Sequence, residues 1–173
     1  MTCTIERLTA AQAADSIDAL IELLRDSVEH GASVGFLPPL LPEEAQQYWA
    51  QVIADVERGA RVLLVARQAG HIVGAVQLEP AAKRNAAHRA EVQKLLVHTR
   101  ARRQGIGGAL MRAIEAAAIE LGRSLLVLDT YEGGDAERLY HQRGYIRAGE
   151  IPGYARSADG SLAGTVIFYR FIE

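Results

Sequence analysis

Apolar residues recur along this chain with two different periods. From Ala10 to Glu29, the residues Ile17, Leu20, Ile21, Leu24 and Val28 fall three and four apart, which predicts an amphipathic helix. His30 to Pro42 (HGASVGFLPPLLP) breaks that pattern with glycines and prolines and reads as a loop. Helical spacing resumes from Glu43 to Glu57, where Tyr48, Trp49, Val52, Ile53 and Val56 are the apolar positions and Gly59 can end the helix. Thr4 to Leu8 predicts a short first strand. Val62 to Ala66 and Ile72 to Leu78 are apolar runs joined through Gln68 to Gly70, a hairpin pattern. Ala81 to Arg89 is a polar loop, and Ala90 to Val97 is the next strand. Ile106 to Leu121 is an Ala-rich helix that Gly122 stops, and Leu125 to Asp129 is a buried strand. Asp135 to Gln142 is a short helix closed by Gly144. Tyr145 to Glu150 and Val166 to Ile172 are the closing strands, and Ile151 to Gly164 reads as a Gly-rich excursion holding the turn Asp159-Gly160.

The resulting order, β-α-α-β-β-β-α-β-α-β-β, puts antiparallel hairpins first and a β-α-β crossover in the middle. That order predicts an α/β (α+β) fold with a mixed sheet and helices on both faces. Neither a repeat nor a long linker interrupts residues 1–173, so the expectation is one domain with a full core.

Composition narrows the function classes. Apolar residues make up 49% and charged residues 23%, a globular balance. A net charge of −2 argues against nucleic-acid binding, because the basic residues form a local patch and not a basic surface. The single cysteine, Cys3, excludes an internal disulfide framework and suits a reducing compartment. The N-terminal MTCTIERLTA lacks the basic and apolar regions of a signal peptide, and no apolar run approaches the roughly 18 residues of a membrane span. A cytoplasmic protein without a membrane partner is expected. The five histidines show no metal-ligand spacing, so no metal is expected.

The chemistry concentrates in one stretch. The apolar run ending at Val97 leads into a loop with Arg100, Arg102 and Arg103, then Gly105, Gly107 and Gly108, and then the Ala-rich helix. Glycines allow close approach of a ligand to the backbone, the first helical N–H groups lack intrahelical partners, and the helix dipole adds positive character. Strand, basic glycine loop and helix N-terminus in this order make an anion cradle suited to a diphosphate. A phosphate loop of the Gly-Lys-Ser/Thr kind is excluded, because the helix starts Gly107-Gly108-Ala109. A dinucleotide fingerprint is disfavoured although Asp129 lies 22 residues beyond Gly107: its third glycine is Leu110, and the approach from Val97 to Gly105 is too long for its tight turn.

A third reading accounts for more of the chain. Arg102-Arg103-Gln104-Gly105-Ile106-Gly107 resembles the Arg/Gln-x-x-Gly-x-Gly/Ala signature of the GNAT family of N-acetyltransferases. Leu95-Leu96-Val97 before it, Leu125 to Thr130 after it, and Leu139-Tyr140 with Gly144-Tyr145 follow the order of that family's segments from about Val62 to Phe171. His30 to Phe36, Ala90 to Leu95, Leu128 to Thr130 and Ile151 to Tyr154 are similar, more narrowly, to segments of the tabtoxin-resistance acetyltransferases, which inactivate a β-lactam dipeptide-derived antibiotic. The resemblance implies the GNAT fold, a mostly antiparallel sheet splayed at two central parallel strands. It also implies acetyl-CoA as co-substrate and a small-molecule amine as acceptor, with an antibiotic-resistance role as the narrower expectation. Family members are often homodimers.

The resemblance also distributes roles. The cradle for the CoA pyrophosphate would be Arg102, Arg103, Gln104, Gly105, Ile106, Gly107 and Gly108, and the backbone of Leu96, Val97 and His98 would pair with the pantetheine arm as an added strand would. An amine begins protonated near neutral pH, so the reaction needs a base; Glu91, 11 residues before Arg102, and Asp129 at the end of the neighbouring strand are the candidates. The bland alternatives are a salt bridge from Glu91 to Lys94 or Arg89, and an Asp129 that caps the turn from Thr130 to Gly134. Tyr140 matches the family's general acid, with core packing as its alternative. Phe36 and Tyr154, aromatics in loops, are candidate substrate contacts along with Asp129, whereas Trp49 reads as core. Two other classes of function remain open: an acyl-CoA-binding GNAT module without catalysis, and a peptide or protein N-acetyltransferase.

Overall fold

A computed structural model describes residues 3–173. Seven strands form one sheet in the order β1-β2-β3-β4-β5-β7-β6. These strands are β1 (Cys3–Arg7), β2 (Val62–Gln68), β3 (His71–Pro80), β4 (Arg89–Val97), β5 (Leu125–Tyr131), β6 (Ile146–Arg156) and β7 (Leu162–Phe171), and the helices are α1 (Ala10–Asp15), α2 (Ile17–Glu29), α3 (Pro42–Glu57), α4 (Ile106–Glu120) and α5 (Asp135–Gln142). Every neighbouring pair is antiparallel except β4 and β5.

Alternation along the strands separates two cores. Val62, Leu64, Val76, Leu78, Val92, Leu126, Leu128, Val166 and Phe168 face α4 and α5 and enclose Leu110, Met111, Ile114 and Tyr140. Leu63, Val65, Ile72, Ala75 and Leu96 face the other way, against Leu20, Leu24, Trp49 and Val52 of α2 and α3. Trp49 is fully buried, as a core residue should be. The second core takes no side chain from β5, β6 or β7, so α1, α2 and α3 cover one half of that face and leave the other half open. Among the described residues, no helix is long and apolar enough to cross a membrane.

Two expectations about boundaries need correction. The single helix expected from Ala10 to Glu29 is two helices that meet at Ser16, whose hydroxyl receives a hydrogen bond from Arg67 (3.3 Å). Serine competes with the helix for backbone and side-chain partners, which apolar spacing does not register. Thr9 starts α1 with a capping box, its hydroxyl accepting from the Gln12 N–H (3.2 Å) while Gln12 Oε1 accepts from the Thr9 N–H (2.9 Å). The Gly-rich excursion from Ile151 to Gly164 is an extension of the closing hairpin: β6 continues to Arg156 and β7 begins at Leu162, with Gly160 (φ 86°) in the turn. Its glycines serve a bulge, since three residues of β6, Pro152 to Tyr154, lie between the pairs Ile151–Thr165 and Ala155–Ala163 where β7 has the single Gly164.

Candidate active site

The parallel pairing of β4 with β5 covers Arg89–Leu125, Ala90–Leu126 and Glu91–Val127 and ends there. Beyond that point β5 stays with β7 as far as Tyr131, and β4 stays with β3. A bulge helps to part them. Lys94 has φ of 50°, and Lys94 and Leu95 together occupy the space opposite Val76, between the pairs Gln77–Gln93 and Ala75–Leu96. An extra residue bends and twists its strand, which here carries the end of β4 away from β5.

The gap leaves backbone groups of β4 without a strand partner. The His98 N–H bonds to the Val73 carbonyl of β3 (2.9 Å). Neighbouring residues of an antiparallel ladder point their backbone groups in alternate directions, so Leu96 and His98 are committed to β3 and Val97 turns its N–H and carbonyl to the gap. Of the three backbone positions expected to receive an extended ligand, Val97 is therefore the one with groups on offer. Its carbonyl accepts from Arg102 Nε (3.2 Å).

The glycine loop closes one end of the gap. Gly105 takes the left-handed conformation (φ 78°) at the start of α4, as does Arg103 before it (φ 62°). The first hydrogen bond of α4 runs from the Ala109 N–H to the Gly105 carbonyl (3.0 Å), so the N–H groups of Ile106, Gly107 and Gly108 precede the helical ladder. A Cβ on Gly107 would lie 3.3 Å from Leu139 Cδ2 of α5 and 3.9 Å from Val97 Cγ2, which places this glycine against the opening between α5 and β4. Arg102, Arg103 and Gln104 are exposed around it, and Gln104 accepts from Gln68 Nε2 (3.0 Å).

On the uncovered half of the sheet lies a cleft of about 200 Å³ lined by Glu91, Val127, Asp129, Thr165, Ile167 and Tyr154, among others. Glu91 forms no ion pair with Lys94 or Arg89; it accepts a hydrogen bond from Gln93 Nε2 (3.0 Å) and is exposed. Asp129 does not cap the turn that follows. It accepts from Thr165 Oγ1 of β7 (2.9 Å), a hydroxyl that also reaches the Thr130 carbonyl (3.0 Å). Tyr154, displaced by the β6 bulge, lies at the cleft and is 58% exposed. Phe36 packs edge-on against Tyr48 at 5.4 Å and is not in the cleft lining. Tyr140 is both a core residue and a neighbour of the site: its ring packs on Tyr145 (5.8 Å) and Phe168 (6.0 Å). Burial, reinforced by the charge of Asp129, pushes its phenol well above the ordinary value of 10.0, so it keeps its proton at neutral and mildly alkaline pH.

Sequence reasoning missed a polar network that joins this cleft through the Gln93–Glu91 hydrogen bond. Gln77, fully buried on β3, exchanges hydrogen bonds with the Tyr48 hydroxyl (2.8 Å) and receives one from Arg61 (2.9 Å). Arg61 also donates to Gln93 (2.8 Å) and pairs with Glu79 (2.7 Å). Burial pushes the Tyr48 phenol up to about 12, against the opposing effects of Gln77 and Arg61. The available signal was a glutamine inside the apolar run Ile72 to Leu78 and a lysine inside Val92 to Val97. A polar residue buried on a strand needs partners, and Gln77 marks where they converge.

Comparison with known proteins agrees with this fold. The sequence model of the Acetyltransferase (GNAT) family matches residues 18–145. The chain is similar in structure to the ribosomal-protein-alanine N-acetyltransferase of Brucella melitensis, at 22% identity and a TM-score of 0.80 over 98% of this chain and 99% of that one. It is also similar to a candidate phosphinothricin N-acetyltransferase, at 18% identity and a TM-score of 0.81 over 99% of each chain. A candidate acetyltransferase of Salmonella typhimurium, solved with its cofactor acetyl-CoA, gives 16% identity and a TM-score of 0.80 over 100% of this chain and 95% of that one. At these identities the structural likeness is one of fold.

Proposed function

This chain belongs to the Acetyltransferase (GNAT) family, and from that membership we propose that it moves an acetyl group from acetyl-CoA to the primary amine of a small molecule. The observation that carries the reading is the parting of β4 and β5 beyond Glu91 and Val127. One opening thereby meets the glycine loop at one side and two carboxylates at the other. The residues around it suit acetyl-CoA. The N–H groups of Ile106, Gly107 and Gly108 and the positive end of α4 would hold the pyrophosphate, with Arg102, Arg103 and Gln104 beside them. The Val97 carbonyl would accept from a pantetheine amide, its N–H being left for the thioester end, with Leu96 and His98 anchoring that strand to β3. The carbonyl becomes available when Arg102 exchanges it for a phosphate.

When bound, acetyl-CoA supplies an activated thioester carbonyl and a thiolate leaving group. The protein's part is to move protons and stabilise charge. Glu91 or Asp129 takes the proton from the acceptor ammonium, directly or through a water, and so frees the nitrogen lone pair. Asp129 is held for this by Thr165. The Val97 N–H is the donor for negative charge that develops on the carbonyl oxygen. Tyr140, which burial keeps protonated, returns a proton to the departing sulfur. The acceptor side is the substrate cleft with Asp129 and Tyr154, and Phe36 contributes by positioning Tyr48.

The segments His30 to Phe36 and Ile151 to Tyr154, which resemble tabtoxin-resistance enzymes, support an amino-acid-like antibiotic as the acceptor and a cytoplasmic detoxifying role. The test is thiol release from acetyl-CoA with amino acids, dipeptides, polyamines, aminoglycosides and N-terminal peptides, the product being identified by mass. Amine-dependent release with an N-acetylated small molecule supports the reading. Tight acetyl-CoA binding without release from any acceptor turns it to a binding module, and release restricted to peptides turns it to a peptide N-acetyltransferase.

A further inference from the structure

Lys94 stands out once the polar network is drawn. Its ammonium lies over the Tyr48 ring, 5.9 Å from the centroid, and 3.6 Å from where a Cβ on Gly35 would stand. It therefore sits beneath the loop from residue 31 to residue 41, on the covered side of the opening. Its positive φ and the bulge direct it there, out of the alternation that would otherwise govern a strand residue. Arg61, the other cation of this face, is consumed: it pairs with Glu79 (2.7 Å) and Asp55 (3.5 Å) and donates to Gln77 and Gln93. Lys94 forms neither an ion pair nor a hydrogen bond among the described residues, although Asp129 and Glu91 are near enough to favour its charged form. Burial and the charge of Arg61 work against that form, and an anion delivered to the ammonium would relieve both.

We propose that Lys94 is the anchor for a carboxylate, or an equivalent oxyanion, on the acceptor, so that the enzyme selects a zwitterionic amine: an amino acid or a short peptide with a free acidic end. The inference rests on the acetyl-transfer reading for its context. The arrangement separates the two charges of such an acceptor. Its ammonium faces Glu91 and Asp129, and its carboxylate faces Lys94 under the Gly35 loop. The Tyr48 hydroxyl is engaged with Gln77, which fixes the ring beside the ammonium. Gly35 (φ 88°) lies opposite Lys94 in a left-handed backbone conformation that suits glycine. A purely cationic acceptor, such as a polyamine, would meet Lys94 as a like charge.

Two measurements separate this proposal from the reading on which it rests. In the first, wild type, Lys94→Met and Lys94→Arg are assayed for thiol release with L-amino acids and glycyl dipeptides, each as the free acid and as the C-terminal amide. Lys94→Met is expected to raise KM for the free acids about tenfold to a hundredfold, with kcat changed by less than about threefold. Amides should be unaffected, and Lys94→Arg should restore part of the preference for acids. In the second, the N-acetylated acids and amides are titrated into each protein with CoA present, which reports recognition without turnover. Tighter binding of acids than amides by wild type, lost in Lys94→Met, supports the anchor even if no acceptor in the panel is acetylated. Equal binding of acids and amides by wild type overturns the anchor even if transfer is rapid. Loss of activity toward amides in Lys94→Met, with CoA affinity intact, also overturns it and makes Lys94 a proton carrier.

Discussion

Replacing Gly107 by glutamate sets the fold and the cofactor in opposition. Gly107 is the second residue of α4, and its N–H lies ahead of the first helical hydrogen bond. For the free protein the exchange is close to neutral or favourable. An acidic residue in the first turn stabilises a helix by about 0.3–1 kcal/mol. Loss of glycine's unfolded-state entropy adds about 0.5–1 kcal/mol. Against this stands the 3.3 Å approach of the new Cβ to Leu139 Cδ2, which Leu139 can relieve by shifting a few tenths of an ångström. For the cofactor the exchange is adverse in both charge and shape. The side chain enters the space between Val97 and Leu139, and its carboxylate faces the pyrophosphate. Like charges 4 Å apart repel by about 4 kcal/mol at an effective dielectric of about 20. Even ~3 kcal/mol corresponds to more than a hundredfold in affinity. Thermal unfolding in the absence of ligand should therefore match or exceed wild type, whereas calorimetric titration with acetyl-CoA should show affinity lost. Gly107→Ala should retain most of it. A Gly107→Glu protein that folds and binds acetyl-CoA within about threefold of wild type would refute the placement of the pyrophosphate at α4.

Two further outcomes follow from buried groups. Tyr140→Phe keeps the ring packing on Tyr145 and Phe168, so its unfolding temperature should stay near wild type while kcat drops by about a hundredfold; a kcat within about threefold of wild type removes Tyr140 from proton transfer. Because burial holds this phenol above its ordinary 10.0, wild-type kcat should show no loss from phenol ionisation as pH rises to 10.0, which a pH–rate profile checks. Asp26 is buried next to the glycine loop, and its carboxylate accepts from the Thr99 N–H (2.8 Å) and hydroxyl (2.7 Å). Burial alone would raise its pKa, but the Thr99 donors and the nearby His98 and His30 overcome that and lower it below 3.8. A lowered folded-state value means stability that is present above the unfolded value and lost as pH falls through the folded one. Asp26→Asn should cost about 2 kcal/mol at neutral pH, or about 4–8 °C in Tm. In urea unfolding the gap to wild type should hold above about pH 5 and narrow below it; a gap that stays constant into strong acid assigns the loss to shape and not to charge.

Much of the fold was legible because it rests on local pattern. The apolar periods located the helices and most strands, and the crossover from Ala90 to Asp129 through a helix predicted the one parallel pair, β4 with β5. Ser16 and the β6 hairpin were misjudged where a side-chain hydrogen bond or a bulge overrides periodicity. The glycine loop was legible because its chemistry is contiguous in sequence. On the acceptor side only single residues, Glu91, Asp129 and Tyr154, were legible, because their surroundings are assembled across strands: Thr165 reaches Asp129 from 36 residues away, and Arg61 reaches Gln93 from 32. Lys94 entered only as one of two salt-bridge alternatives for Glu91; regular alternation fixes the face of a strand residue, and the β4 bulge breaks that alternation at Lys94 itself.

The most direct test of acetyl transfer at this cleft is the rate of thiol release from acetyl-CoA, with and without acceptor, in wild type and in Glu91→Gln. Release in wild type should depend on the acceptor and yield the N-acetylated amine. In Glu91→Gln it should fall by about tenfold to a hundredfold from about pH 6 to about pH 9, because Asp129 replaces the lost base only in part. Affinity for acetyl-CoA should be unchanged, since Glu91 faces the acceptor cleft and not the glycine loop. A wild-type rate in Glu91→Gln across that range would contradict its role as base, and no acceptor-dependent release from a wild-type protein that binds acetyl-CoA would contradict the enzyme itself.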